Sequence, residues 1–258
     1  LSVGGGQKSA MNGGASNRTF AEGNLQVSLP DNTWAYNTQV CYSGKWYCEI
    51  LVKTIGSSDQ DNGVGWNHYD NFIGSGSMAG YADSWNVYSN TYSTPYIKLY
   101  DETSALGNTF AVTLAEGDIW QLAWDVDSGK GWIGLNNTYY RTNATDGNPS
   151  AGSNQTFDFT AEEAQNLLVA LGNGNGTNVY VANFGQDGSF AGNKTAQGNT
   201  DANGIGDFYY AVPTGFQAVC TKNLADTAIG PNSATQSDDH FNTVLYTGNG
   251  GSQSITGV

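Results

Sequence analysis

The stretch GDIWQLAWDVDSGKGWIGLNN, residues 117–137, alternates apolar and polar positions on both sides of DVDSGKG. Period-two alternation places successive side chains on opposite faces of an extended chain. The centre supplies what a tight reversal needs, with Asp bonding its own backbone and Gly providing positive φ. The segment therefore reads as two antiparallel strands joined by a short turn, which commits the middle of the chain to a β-sheet. Asp125 and Asp127 stand two apart, and on a strand that spacing puts both carboxylates on one face, so an acid pair of the glycosidase kind is the competing reading. Turn chemistry favours the hairpin. DVDSG also opens like a calcium loop, but Lys130 and Asn136 fill the places that require Gly and Glu, which excludes an EF-hand.

The same signals recur along the 258 residues. GNLQVSL (23–29) and KWYCEILVKT (45–54) alternate as half-buried strands between turn formers. Further strands are expected near 63–67, 79–88, 95–100, 109–114, 118–126, 130–136, 167–172, 177–184 and 208–212, with weaker ones at 216–220 and 241–247. Short strands at this spacing, with 35 Gly and 12% aromatic residues, describe an all-β sandwich or barrel. FTAEEAQNLLVALG holds one helical turn or two, with Thr160 as its cap and Glu162 and Glu163 in the first turn. AGNKTAQGNTDANGIGD and ADTAIGPNSATQSDDH (225–240) read as loops. No repeat of 20–50 residues occurs, which disfavours solenoids and propellers.

Nine basic residues against 23 acidic ones give a net charge of −14, so neither nucleic acid nor an anionic membrane is an expected partner. No apolar run of about 18 residues and no basic-then-apolar leader is present, and the chain reads as soluble, without membrane insertion and without its own signal. Cys41, Cys48 and Cys220 lack metal spacing and read as buried apolar thiols, although Cys41 and Cys48 flank a turn and stand where strands could bring them together. His68 and His240 are far apart and define no catalytic order. GNGNGTN (172–178) has no following helix or Lys, so it is a turn and not a phosphate loop. The N-x-T sequences at Asn17, Asn136, Asn143, Asn154 and Asn193 matter only in a glycosylating pathway.

Two features remain as candidate sites. NTDANGIGD sets Asn199, Asp201, Asn203 and Asp207 at oxygen-ligand spacing around Gly204, so calcium is the one ion the sequence admits; Tyr210 where a Glu belongs favours a plain turn. No other cofactor is expected. Aromatic residues concentrate in WNHYDNF (66–72) and GYADSWNVYSNTYSTPY (80–96). Half of them point inward by alternation, and the rest read either as a platform with Asn and Ser donors, as in glycan sites and paratopes, or as ordinary sandwich packing with a solvated face. Trp66, His68, Tyr69, Phe72 and Tyr92 are the rim binding residues expected from this segment.

GKWYCEI, GVGW, GYADSWNVYSN, the 117–137 hairpin and VYVANFGQDGSF follow one another in the order and spacing of a SPRY domain. Gly44 to Glu49 resembles its early G-x-W-Y-x-E strand, Gly117 to Asn136 its central hairpin, and Asn183 to Gly185 its closing N-F-G. The resemblance covers roughly residues 20–215. It implies an all-β fold, a bent antiparallel, concanavalin-like sandwich of jelly-roll type, with a short C-terminal β extension. It also implies that Asp125 and Gly129 are structural, and that the domain is non-catalytic and binds partners through loops on one rim. The expected division is an arm at 1–19, the sandwich at 20–220, a linker at 221–240, and at 241–258 the start of a further β module, as in a fragment.

GDFYYAVPTGFQAVCTKNLADTAI and FNTVLYTGNGGSQSITGV resemble the joint after a SPRY domain in large structural proteins of tailed bacteriophages. That implies a virion surface component of tail-fibre, head-fibre or decoration type. Its partners would be other virion subunits, as a homo-oligomer, together with a host-surface glycan or protein. Loops 56–62, 67–79 and 141–156 are the contacts expected to vary. The alternative is a glycan-binding or glycan-active concanavalin-like domain using the aromatic loops with Asp83, Asp125 or Asp127; the absence of an E-x-D-x-E run counts against hydrolysis.

Overall fold

The computed structural model describes residues 9–12, 17–56, 62–70, 82–90, 96–224, 245 and 247–254. In chain order the strands are β1 (Met11–Asn12), β2 (Thr19–Ala21), β3 (Gln26–Leu29), β4 (Thr33–Asn37), β5 (Lys45–Thr54), β6 (Asn62–His68), β7 (Ser84–Asn90) and β8 (Tyr96–Asp101). They continue with β9 (Ser104–Phe110), β10 (Ile119–Asp125), β11 (Lys130–Leu135), β12 (Thr138–Tyr140), β13 (Phe157–Asp158), β14 (Leu167–Asn173), β15 (Asn178–Asn183) and β16 (Gln217–Ala218). One helical turn, α1 (Ala161–Ala164), interrupts them, closed by a capping box between Thr160 and Glu163.

These strands form two sheets. One has the order β1-β4-β14-β6-β7-β8-β9; the other runs β12-β11-β10-β5-β15-β3-β2, with β13 on β11 and β16 on β5. Every pairing is antiparallel except β16 with β5. The fold is thus an all-β sandwich of two antiparallel sheets, as expected. Alternation turns Trp46, Cys48, Ile50 and Val52 of β5 inward to meet Val64, Trp66, Val87, Leu99 and Val169 from the facing sheet. A close approach sits at the centre: a Cβ on Gly131 would stand 2.7 Å from the Phe159 ring and 3.4 Å from Trp66, so only glycine lets those rings meet there.

The central hairpin is a hairpin. β10 and β11 pair from Trp120↔Leu135 to Asp125↔Lys130. Asp125 Oδ1 accepts the amides of Asp127 and Ser128, and Gly129 takes φ +64. Asp127 lies past the end of the strand, where its carboxylate accepts the Gly44 amide at 3.1 Å, so the two acids do not share a strand face.

Half-burial of the central strands does not hold. All seven residues of β10 are buried, and so are Trp46 to Val52 of β5, because the outer face of their sheet is roofed by residues 184–220. Tyr47, Ala123 and Trp132 from the sheet pack there against Ile205, Phe208, Phe216 and Ala218, forming a second core. Glu49 pins the roof: its carboxylate accepts the amides of Tyr209 and Tyr210 at 2.9 and 2.8 Å, the Tyr47 hydroxyl at 2.9 Å and Asn183 Nδ2 at 3.3 Å. This is why the strand expected at 208–212 is absent. The amides of Tyr209 and Tyr210 go to a side chain, and among the described residues the only ladder contact of this segment is a single bridge, Asn199↔Phe208. Burial pushes the Glu49 carboxyl up to about 7, against the four hydrogen bonds that favour its charged form.

Other boundaries differ too. The strand expected at 109–114 is β9, ending at Phe110 after a reversal at Glu102 (φ +49). β4 is a strand that alternation does not announce, because all five of its residues are buried. Met11, in the expected arm, is fully buried in the main core, and β1 extends the first sheet. Residues 1–223 form one compact unit and 224–258 a second. Most of the expected 221–240 linker and of the 241–247 strand lies outside the described residues, and the described part of the second unit carries no strand.

Candidate functional site

Trp66 is not a rim residue. It follows Val64 on the inward face of β6, has no exposed surface, and meets Trp124, Phe157 and Phe159 edge-on at centroid distances of 6.0, 6.2 and 5.8 Å. Gly63 and Gly65 take the outward positions of GVGWN, so the alternation itself forces the indole inward. His68, two residues on, is also buried, at 7% exposure. Its Nδ1 accepts the Asp70 amide at 3.4 Å, and its Nε2 stands 3.4 Å from Glu162 of α1. Tyr69 is the expected rim residue that does reach solvent, at 41% exposure. Phe72 and Tyr92, with most of loops 56–62 and 67–79, lie outside the described residues.

Tyr69 sits where β6 ends, held by its amide to Asn166 O at 2.9 Å, with its ring tilted over His68 at 5.4 Å. Beside it opens a cleft of about 570 Å³ lined by Asn12, Tyr36, Asn37, Thr38, Val40, Tyr69 and Leu168. Trp34 and Tyr36 stack at 6.4 Å on the outer face of β4, with Leu168 and Ala170 of β14 against them. Tyr42, 67% exposed, lies on the loop before β5 and within electrostatic reach of Tyr69. The site is therefore an aromatic cleft walled by amide and hydroxyl side chains. Tyr36, Val40, Tyr42 and Leu168 were not legible as site residues: β4 shows no alternation, and Tyr42 is a lone aromatic in a turn.

A second aromatic surface faces outward from β7 and β8. Tyr88 stacks on Tyr96 at 5.9 Å and meets Tyr100 at 6.1 Å, while Lys98 Nζ lies 5.7 Å from the Tyr100 ring. Trp85, from the same sequence cluster, points inward against Phe159. The cluster thus divides as alternation requires.

The calcium set does not form a cage. Asp201 is buried, and its Oδ1 accepts the amides of Asn203 and Ile205 while its Oδ2 accepts Ala218 N and Asn223 Nδ2. Four donors fill the carboxylate, leaving it no lone pair for a cation. Asn199 turns its Nδ2 to Phe208 O and Tyr209 O, and Asn203 gives its own to Asn223. Asp207 sets its carboxylate against Gly188. The plain-turn reading describes this segment. Among the described residues no group of three or more His, Cys, Asp or Glu is placed to hold a metal ion, and no helix is long and apolar enough to cross a membrane.

No protein-family model and no curated protein matches the chain. Among solved structures, the SPRY domain of human HERC1 is similar to it, at 12% identity over 64% of this chain and 91% of that chain, with a TM-score of 0.46.

Proposed function

We propose that this chain is a non-enzymatic binding module that holds a protein partner at the sandwich end carrying Tyr42 and Tyr69. The observation that carries this reading is the pairing of two exposed tyrosines with the cleft of about 570 Å³ over Tyr36 and Leu168. An aromatic anchor beside a partly desolvated pocket is the usual energetic centre of a protein interface. The carboxylates a hydrolase of this architecture would need support it by their occupation: Asp125 and Asp127 are committed to turn amides, and Glu49 lies beneath the roof. The setting we propose is the surface of a bacteriophage particle, in a tail-fibre, head-fibre or decoration protein, as a homo-oligomer among other virion subunits. Its support is the resemblance of GDFYYAVPTGFQAVCTKNLADTAI and FNTVLYTGNGGSQSITGV to phage structural proteins, and an acidic surface suited to crowded display.

A second reading, glycan binding, draws on the row of Tyr88, Tyr96 and Tyr100, whose flat faces suit the apolar side of a pyranose. Cryo-electron microscopy of purified particles tests the setting. Density at a tail tip or over the head lattice is expected, and its absence from particles would reject the virion role. Attachment assays with Tyr42→Ala, Tyr69→Ala and Tyr88→Ala then separate the readings. Loss in the first two supports the protein-binding end, and loss only in the third transfers the function to the tyrosine row.

A further inference from the structure

At the edge where the two sheets part, a pocket of about 360 Å³ opens that shares no lining residue with the cleft beside Tyr69. Asp101, the last residue of β8, and Leu106 of β9 line it from one sheet. From the other come β13, the residues just before it, and Arg141 just after β12. Leu106 and Phe157 are its apolar residues, and every other lining side chain is polar. Gly107, at φ +60, closes one end: a Cβ there would overlap the Thr142 carbonyl, so only glycine lets β9 lie against the segment after β12. The volume is at the small end of the range for ligand sites, which suits one ring and not a peptide.

The polar wall carries hydrogen-bonding ends of both kinds. Arg141 gives Nε and Nη2 to the two Asp146 oxygens at 2.6 and 3.1 Å, and among the described residues its Nη1 has no acceptor. Asn154 commits its Nδ2 to Asp146, and Gln155 commits its Nε2 to Asp158 Oδ1 at 2.8 Å. Asn154 Oδ1, Gln155 Oε1 and Asp158 Oδ2 therefore stay open as acceptors. Asp101 accepts the Trp85 indole, with which it shares the inward face of its sheet, and burial is the first cause that holds its carboxyl above the ordinary range. Donor and acceptors thus face one small volume over an apolar floor.

We propose that this pocket binds one uncharged sugar ring, its hydroxyls donating to Asp101 and Asp158 and accepting from Arg141, with its C–H face over Leu106 and Phe157. A hydroxyl is one donor and two acceptors, so neighbouring hydroxyls need both kinds of partner side by side. Charged ligands fit less well. An anion would meet Asp101 and Asp158 while the only guanidinium on the wall is already neutralised by Asp146, and an ammonium would meet Arg141. A metal ion lacks a convergent ligand set among the described residues. The site is separate from the protein-binding end and also from the tyrosine row, since Tyr96 and Tyr100 stand on the outer face of β8 and Asp101 on the inner one.

The test is a ¹⁵N-resolved NMR titration of the full chain with the methyl glycosides of glucose, galactose and mannose. Sodium acetate and methylammonium chloride serve as charged comparisons. Saturable shifts with at least one glycoside in the millimolar range, confined to the amides of residues 101–107, 141–143 and 154–158, are expected. Asp158→Asn keeps the acceptor for Gln155 and should weaken binding about tenfold at an unchanged melting temperature, the loss expected of one hydrogen bond to a charged group. Thr142→Trp, at an exposed position on the pocket wall, should abolish binding by filling the space. No saturable shift with any of the glycosides, an affinity unmoved by either variant, or the same shifts with either ion would overturn the inference. Binding lost in Tyr88→Ala and kept in Thr142→Trp would place the sugar on the tyrosine row and reject the pocket. Attachment by Tyr42→Ala and Tyr69→Ala chains bears on the protein-binding end alone, so the two readings fail separately.

Discussion

Replacing Trp66 by alanine removes a side chain with no exposed surface from the contact between the two sheets. A buried tryptophan removes about 150–250 Å² from water, which at about 25 cal/mol per Å² is roughly 4–6 kcal/mol. Against this stands the indole Nε1, which is buried without an acceptor, a penalty of about 1–3 kcal/mol that the substitution relieves. The balance of these two is about 1–5 kcal/mol, and the cavity left behind adds to it, so the expectation is the upper part, about 3–5 kcal/mol, the range found for such truncations. Trp66→Phe keeps an aromatic ring against Trp124, Phe157 and Phe159 and also removes the orphan donor, so it should cost only about 1 kcal/mol. Tyr69→Ala, on the surface, should stay within about 0.5 kcal/mol of the parent. All seven tryptophans lie in residues 34–132, so tryptophan fluorescence during urea unfolding reports on the first unit alone. A loss below about 1 kcal/mol for Trp66→Ala would refute the core assignment. A Trp66→Phe cost equal to that of alanine would refute the role given to the ring contacts with Trp124, Phe157 and Phe159.

Three other outcomes follow from the geometry. Because the Glu49 carboxyl is raised from 4.5 to about 7, the folded chain binds a proton there more readily than the unfolded one. This group's contribution to stability should therefore fall as pH rises from about 4.5 to about 7, by on the order of 1–3 kcal/mol, and urea midpoints of Glu49→Gln should lack that slope. Gly131→Ala should cost about 1–3 kcal/mol in chemical denaturation, since its methyl group would press on the Phe159 ring. Asp201→Ala, which strands four donors, should cost roughly 3 kcal/mol, while excess EDTA leaves the parent melting temperature unchanged; a drop with EDTA would restore the calcium reading.

Alternation and turn chemistry made β5, β10, β11, β14 and β15 legible, together with the Thr160 cap, because each of these depends on residues close in sequence. What stayed hidden depends on residues far apart. β4 has no polar face because Val40 and Leu168 help cover its outer side, so period two never appears. The roof was legible only as a Gly and Asn loop, since its order comes from Glu49, about 160 residues earlier in the chain. Trp66 was misassigned because its neighbours WNHYDNF look like a surface cluster, although the two glycines before it fix the direction of the ring. Tyr69 was legible as a rim residue; the cleft beside it was not, because β1, β4 and β14 meet there only after folding.

The roof also sets an order of events during synthesis. β5 leaves the ribosome long before residues 209 and 210, so for most of translation the Glu49 carboxylate has no backbone amides to hold and the apolar outer face of its sheet stays uncovered. Nascent chains stalled before residue 208 should be the protease-sensitive, chaperone-binding species, and release of the last roof residues should end that vulnerability in one step.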